Sequence, residues 1–380
     1  MGALDGVRVI ELAGIGPGPF CGMMLADMGA DVVRIDRAAS VRGGDPGSPP
    51  ANVNARGRRS IGVDLKSDEG RKLVLEMVAD ADVLFEGYRP GVAERLGLGP
   101  LECLACNPAL VYGRMTGWGQ EGPYASAAGH DINYISLAGA LAHMGRHDTG
   151  PVPPLNLVGD FGGGGMYLAF GIVCALYWAR STGEGQVVDA AMVDGAASLM
   201  GFFHGMLHTG FSTDRRGENM LDTGAHFYDV YECADGEYIS LGSIEPQFYA
   251  EMVEKLGLDA EDFAVQHDRS RWPELKEKVA TAVRTRTRAE WDALLMGSDV
   301  CYAPVLSVSE AVEHPHNVAR GTFVESGGLV QPAPAPRLSG TPGAIRRPAP
   351  HDGQHTEELL VEMGIDADRI AALRASGIVA

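Results

Sequence analysis

The chain has 380 residues, 45% of them hydrophobic and 21% charged, an ordinary globular composition with enough length for two hydrophobic cores. Its net charge of −19 argues against nucleic acid, whose binding rests on neutralising phosphates with Lys and Arg. A small anionic ligand stays open, because it responds only to the local field.

Val7–Leu12 is a short β-branched apolar run, followed by the turn Gly14-Ile15-Gly16-Pro17-Gly18-Pro19. A helix over Phe20–Met28 then leads to a strand at Asp31–Ile35, which makes a βαβ unit and implies a parallel sheet. Arg34–Lys66 carries seven basic residues against three acids. Next come a helix over Ser67–Ala79, strands at Ala81–Phe85 and Ala109–Tyr112, a loop at 116–123, and helices over Asp131–Leu141 and Gly165–Arg180. This alternation fits an α/β domain.

From Ala225 the texture changes. Phe227–Cys233, an Asp235-Gly236 turn and Glu237–Leu241 read as a hairpin. Helices follow over Pro246–Leu256, Trp272–Thr285 and Arg288–Met296, which together suggest a smaller α+β domain. The Pro-rich tract Gln331–Pro336 reads as an extended linker, before a terminal helical pair over Thr356–Met363 and Ala367–Ser376. The apolar stretch Met166–Trp178 reads as too short and glycine-rich to span a bilayer, so no membrane insertion is expected. The N-terminus lacks the pattern of a secretory leader, and six cysteines read as reduced thiols, which together suggest the cytoplasm. Cys103 and Cys106 form a lone C-x-x-C with no nearby histidine, so no metal site is expected.

Four places could carry chemistry. The Gly14–Gly18 turn with Asp36 partly matches a dinucleotide fingerprint, but Pro19 stands where a third glycine belongs. His130 follows a Gly/Pro loop at a helix start, where the positive helix end favours a neutral, proton-accepting ring, and Asp131 reads as the cap of that helix. Asp160 ends an apolar run before Gly162–Gly165. It reads either as an N-cap or as a base or nucleophile beside backbone N–H groups, with the glycines admitting a ligand to the backbone. Glu245 precedes Pro246 at a strand–helix junction, where capping is the plain reading.

Taken in order, these segments resemble the family III CoA-transferase (CaiB/BaiF) superfamily, and within it the α-methylacyl-CoA racemase branch. The resemblance rests on Val9–Leu12 with Gly14–Gly18, Ala30–Asp36, Asp64-Leu65-Lys66, Glu86-Gly87-Tyr88-Arg89-Pro90-Gly91, Met115–Gly119, Gly129–Tyr134, Asp160–Gly164 and Ile244–Tyr249. It covers nearly the whole chain.

The resemblance implies an α/β fold. A Rossmann-like large domain is built from residues 1–189 and 335–380, a small α+β domain spans 226–322, and linkers lie at 190–225 and 323–334. It further implies an interlocked homodimer whose active sites are shared between chains. His130 and Asp160 become two bases that invert the α-carbon of a 2-methylacyl-CoA through an enolate, with Glu245 from the partner chain beside the imidazole. Asn156 and backbone N–H groups are candidates for the enolate oxygen. Val63 and Leu65 backbone groups would hold the adenine, Arg37, Arg89 and Arg95 the phosphates, and Gly16 and Tyr134 other parts of the substrate. CoA is then part of the substrate, and no separate cofactor or metal is implied. Because transferases of the family generally lack the histidine, His130 favours the racemase branch over CoA transfer through an Asp160 anhydride.

Overall fold

The computed structural model describes residues 1–380, which divide into two compact units. The first comprises Met1–Ala138, Leu155–Leu199 and Val318–Ala380, and the second Gly139–Pro154 and Met200–Asn317. These bounds differ from the sequence expectation: residues 139–154 and 200–225 belong to the second unit, and residues 190–199 and 318–334 to the first.

The first unit is built on six parallel strands: β1 (Arg8–Leu12), β2 (Asp31–Arg37), β3 (Arg58–Val63), β4 (Val83–Glu86), β5 (Val111–Thr116) and β6 (Gln186–Ala191). Their order is β3-β2-β1-β4-β5-β6, so the chain leaves β1 to one side and returns at β4 on the other. Both faces are covered, as a parallel sheet requires. On one face Ile10, Val33, Ile61 and Leu84 meet Leu73, Val74 and Val78 of α2 (Asp68–Ala79) and Leu359, Leu360 and Leu373 of the C-terminal helices. On the other, Val9, Val32, Val83 and Val111 meet Cys21 and Leu25 of α1 (Pro17–Asp27) and Leu168, Ile172 and Leu176 of the helix that follows Asp160. Neighbours along one strand thus serve opposite faces. Each fully buried valine contributes about 1.5–3 kcal/mol.

Strand β3 was not expected, and its arginines explain why. Arg58 is fully buried and pairs with Glu11 of β1 at 2.5 Å, while also donating to the carbonyls of Pro19 and Asn54. Arg56 pairs with Asp27 at 2.6 Å, and Arg59 with Asp31 at 2.7 Å and Glu362 at 2.7 Å. The basic segment is therefore largely neutralised inside the fold.

Three other expectations are corrected. Helix α1 begins at Pro17 rather than Phe20, because proline suits the first helical turn. The tract beginning Gln331-Pro332 is not all linker: residues Leu329–Pro332 pair with Phe323–Ser326 in an antiparallel hairpin. The segment 200–208, read as part of a linker, forms a helix over Gly201–His208.

The second unit carries the hairpin β7 (Tyr228–Glu232) and β8 (Tyr238–Gly242), extended by β9 (Tyr302–Pro304). Gly236 takes φ +80° in the connecting turn, and the Cys233 N–H donates to the Glu237 carbonyl. Helices over Pro246–Lys255, Trp272–Val283 and Arg288–Leu295 supply Met252, Leu275, Val279 and Trp291 to a core with Phe227 and Ile239.

Candidate active site

A cleft of about 470 Å³ opens at the carboxyl ends of β1, β4 and β5. Its walls come from Ile15–Pro17 after β1, Gly87–Pro90 after β4 and Thr116–Trp118 at the end of β5. This is where the strand order reverses, the place where open α/β sheets bind ligands. His130, Tyr134, Asn156 and Asp160 line the same cleft.

Asp160 lies neither at an N-cap nor in an ordinary helix. Two helices flank this part of the cleft, α3 (Asp131–Leu137) and α4 (Met166–Thr182), and Leu157–Gly165 forms a π-helical segment that runs directly into α4. Such segments are rare and concentrate at functional sites. The Asp160 carboxylate accepts from Asn156 Nδ2 at 3.1 Å, and its backbone N–H donates to Asp131 Oδ2 at 2.7 Å. Burial pushes the Asp160 carboxyl above its ordinary range, helped by the Asp131 charge and opposed by the Asn156 hydrogen bond and His130. Phe20 of α1 stacks on Phe161 at 4.7 Å, which fixes the segment against the first crossover helix.

The glycines of this segment serve packing rather than ligand access. A Cβ on Gly195 of α5 (Met192–Leu199) would fall onto the Gly163 carbonyl, and one on Gly165 would meet Phe20. Gly16, the N-cap of α1, lines the cleft at φ +66° and ψ −116°. A Cβ there would stand 2.9 Å from Asp160 Oδ2.

Joined to α4, the π segment makes a continuous 26-residue helix, Leu157–Thr182, long and apolar enough to cross a membrane by length and composition. The expectation of a stretch too short to span is therefore corrected. One face, including Leu168, Ile172 and Leu176, packs on the sheet, while Phe170 and Tyr177 on the other are 70% and 82% exposed.

His130 is the N-cap of α3 and is exposed to the cleft; its N–H donates to Asn133 Oδ1 at 3.0 Å. Capping thus falls to the residues flanking Asp131, whose buried carboxylate reaches Asp160 instead, contrary to its expected role. Behind His130, Tyr134 meets Trp118 edge-on at 4.7 Å. Burial raises the Tyr134 hydroxyl, the Asp160 charge adds to this, and Arg89 opposes it. The loop that carries Tyr88 and Arg89 is held by Glu86, whose Oε2 accepts the Tyr88 N–H at 2.6 Å. Burial pushes Glu86 up to about 7, the Glu94 charge adds to this, and the Tyr88 N–H and Arg114, 3.5 Å away and paired with Glu94 at 2.6 Å, oppose it.

Gly16, Arg89, Tyr134 and Asn156 therefore meet His130 and Asp160, while other expected residues do not. Val63 and Leu65 are buried in the sheet core. The backbone beside them is engaged by the chain's last residues, with the Asp64 N–H donating to Ile378 and the Gly62 carbonyl accepting from Ala380. Arg37 is exposed at the end of β2 and influences Tyr88 from outside the cleft lining. Arg95 is exposed at the end of the short helix Val92–Arg95. Glu245 belongs to the second unit, where it occupies the N-cap of Pro246–Lys255 without a side-chain capping bond. Asn156, offered as an enolate donor, gives one N–H to Asp160. Sequence reasoning missed Glu86, Trp118 and the buried role of Asp131; only the adjacency of Asp131 to His130 hinted at the last.

A β1–β4 switch-point cleft holding a histidine and an aspartate of raised pKa defines a class of α/β enzyme suited to proton transfer or acyl chemistry. The chain belongs to the CoA-transferase family III, whose profile matches residues 4–356. It is 46% identical over 378 residues to the alpha-methylacyl-CoA racemase of Mus musculus, covering 99% of this chain and 97% of that protein. The alpha-methylacyl-CoA racemase of Homo sapiens is 44% identical over 381 residues, with the same coverage of 99% and 97%. Among solved structures, a CAIB/BAIF family protein from Brucella suis matches with a TM-score of 0.82 at 27% identity, over 95% of this chain and 99% of that one.

Proposed function

We propose that this chain is a racemase of 2-methylacyl-CoA thioesters, inverting the α-carbon by a two-base 1,1-proton transfer. The observation that carries this reading is the convergence of His130 and Asp160 in one switch-point cleft. Inversion needs one group to remove the α-proton from one face and another to deliver a proton to the opposite face. An imidazole and a carboxyl raised by burial suit that exchange near neutral pH.

The thioester acidifies the α-proton, and CoA enters as part of the substrate, so the mechanism calls on no separate cofactor or metal. Asn156 keeps a second N–H for the enolate oxygen, beside backbone N–H groups of the π segment. Arg89, with Arg37 and Arg95 at the rim, would meet the CoA phosphates as planar donors. The Val63–Leu65 backbone would meet the adenine.

The working assembly is a homodimer in which the partner's Glu245 orients the His130 imidazole. The exposed apolar face of α4, with Phe170 and Tyr177, supports such an interface, because patches of this kind call for cover.

Incubation of a 2-methylacyl-CoA in deuterated buffer, with no acceptor acid, tests the activity. Label is expected at the α-carbon. A hydroxylamine-sensitive adduct on Asp160, with dependence on an acceptor carboxylate, would instead establish CoA transfer.

A further inference from the structure

We propose that Asp131 is the positioning residue of this site, a buried carboxylate that sets the separation of His130 and Asp160; the proposal rests on the two-base reading above. Asp131 is the chain neighbour of His130 and is 6% exposed. Its Oδ2 accepts the Asp160 N–H at 2.7 Å across 29 residues of sequence. From the backbone of one base to that of the other, the path is one peptide link, one short side chain and one hydrogen bond. A longer carboxylate would push the two apart.

The surroundings are shaped for this contact. A Cβ at Gly159 would lie 2.5 Å from Asp131 Oδ2 and 3.1 Å from its Cα, so the residue before Asp160 must be small for the carboxylate to reach. The other oxygen, Oδ1, is buried with no hydrogen-bond partner. An unpartnered buried carboxylate oxygen destabilises a fold, so stability alone does not account for this residue. The charged and titratable groups that face Asp160 are Asp131 and His130, with Asn156 bonded to its carboxylate and Tyr134 nearby. Of these, Asp131 is the one whose negative charge raises the Asp160 carboxyl.

Three variants separate geometry from charge. Asp131→Ala removes the acceptor and is expected to slow α-proton exchange in both directions on the order of 100-fold, the scale of a misplaced catalytic group, with KM changed less than about threefold. Gly159→Ala keeps every charge but displaces the carboxylate, and is expected to fall comparably. Asp131→Asn keeps an acceptor for the Asp160 N–H, so it recovers most of the rate. It also removes the charge, so the Asp160-dependent limb of the kcat–pH profile moves to lower pH.

The proposal is overturned if Asp131→Ala exchanges at the wild-type rate, or if Asp131→Asn is equally slow with its limb unmoved. Should the alanine variants fail to fold, Asp131→Asn decides alone, through that limb and through the Asp160 carboxyl titration followed by NMR in labelled protein. A wild-type protein that exchanges no 2-methylacyl-CoA defeats the racemase reading. The NMR titration still tests Asp131 in that case: a downward shift in Asp131→Asn supports it, and an unmoved carboxyl overturns it.

Discussion

Replacing Gly16 by alanine tests whether the first crossover turn shapes the site. Gly16 takes φ +66° and ψ −116°, a sparsely populated conformation that costs an L-residue about 1–3 kcal/mol. The added Cβ would stand 2.9 Å from Asp160 Oδ2 and 3.3 Å from its Cγ. Comfortable contact begins near ~3.5 Å, so the carboxyl must retreat by roughly half an ångström. A full ångström of misplacement slows catalysis on the order of 100-fold, so about tenfold is expected here. The strain should also lower the melting temperature by about 1–4 °C. Steady-state exchange kinetics with a thermal melt measure both effects. A variant with wild-type kcat and an unshifted melt would refute the claim that Gly16 packs on the catalytic carboxyl.

Other expectations follow from the same contacts. Arg58→Met leaves Glu11 buried and unpaired, so chemical denaturation should show a loss of about 3–5 kcal/mol. Glu86 has a folded pKa raised to about 7, so its contribution to stability is present below its ordinary value of 4.5 and is lost as pH rises through 7. Glu86→Gln should therefore flatten the fall in melting temperature over that window, and an unchanged pH dependence would contradict the assignment. The Asn156 hydrogen bond lowers the Asp160 carboxyl, so Asn156→Ala should move the Asp160-dependent limb to higher pH. That direction is opposite to the one expected for Asp131→Asn, and a shift the same way for both would be inconsistent with these contacts.

The βαβ opening, the α2 crossover and the β7–β8 hairpin are legible in the sequence because each joins a clean apolar period to a turn signal. Strand β3 is hidden because Arg58 and Arg59 make it read as charged surface. Only tertiary structure brings Glu11, Asp31 and Glu362 to those guanidinium groups. His130, Asp160 and Asn156 are legible as candidates, and the fold gathers them. The π-helical setting of Asp160 is not, since Leu157–Gly165 shows only an apolar run and glycines, whose packing role depends on α1 and α5. Val63 and Leu65 stand apart from the cleft because β3 is an edge strand, and the chain's C-terminal residues lie against it. Asp131 looked like a helix cap because caps are local, whereas its actual partner is 29 residues away.

The central claim is that His130 and Asp160 address opposite faces of one α-carbon. It is tested most directly by following deuterium wash-in from each stereoisomer of a 2-methylacyl-CoA with His130→Ala and Asp160→Ala. Each variant should keep its melting temperature and lose racemisation. Each should still exchange the one stereoisomer whose α-proton faces the remaining base, so the two variants should show opposite preferences. Loss of exchange from both stereoisomers in one variant, with wild-type behaviour in the other, would contradict a two-base mechanism.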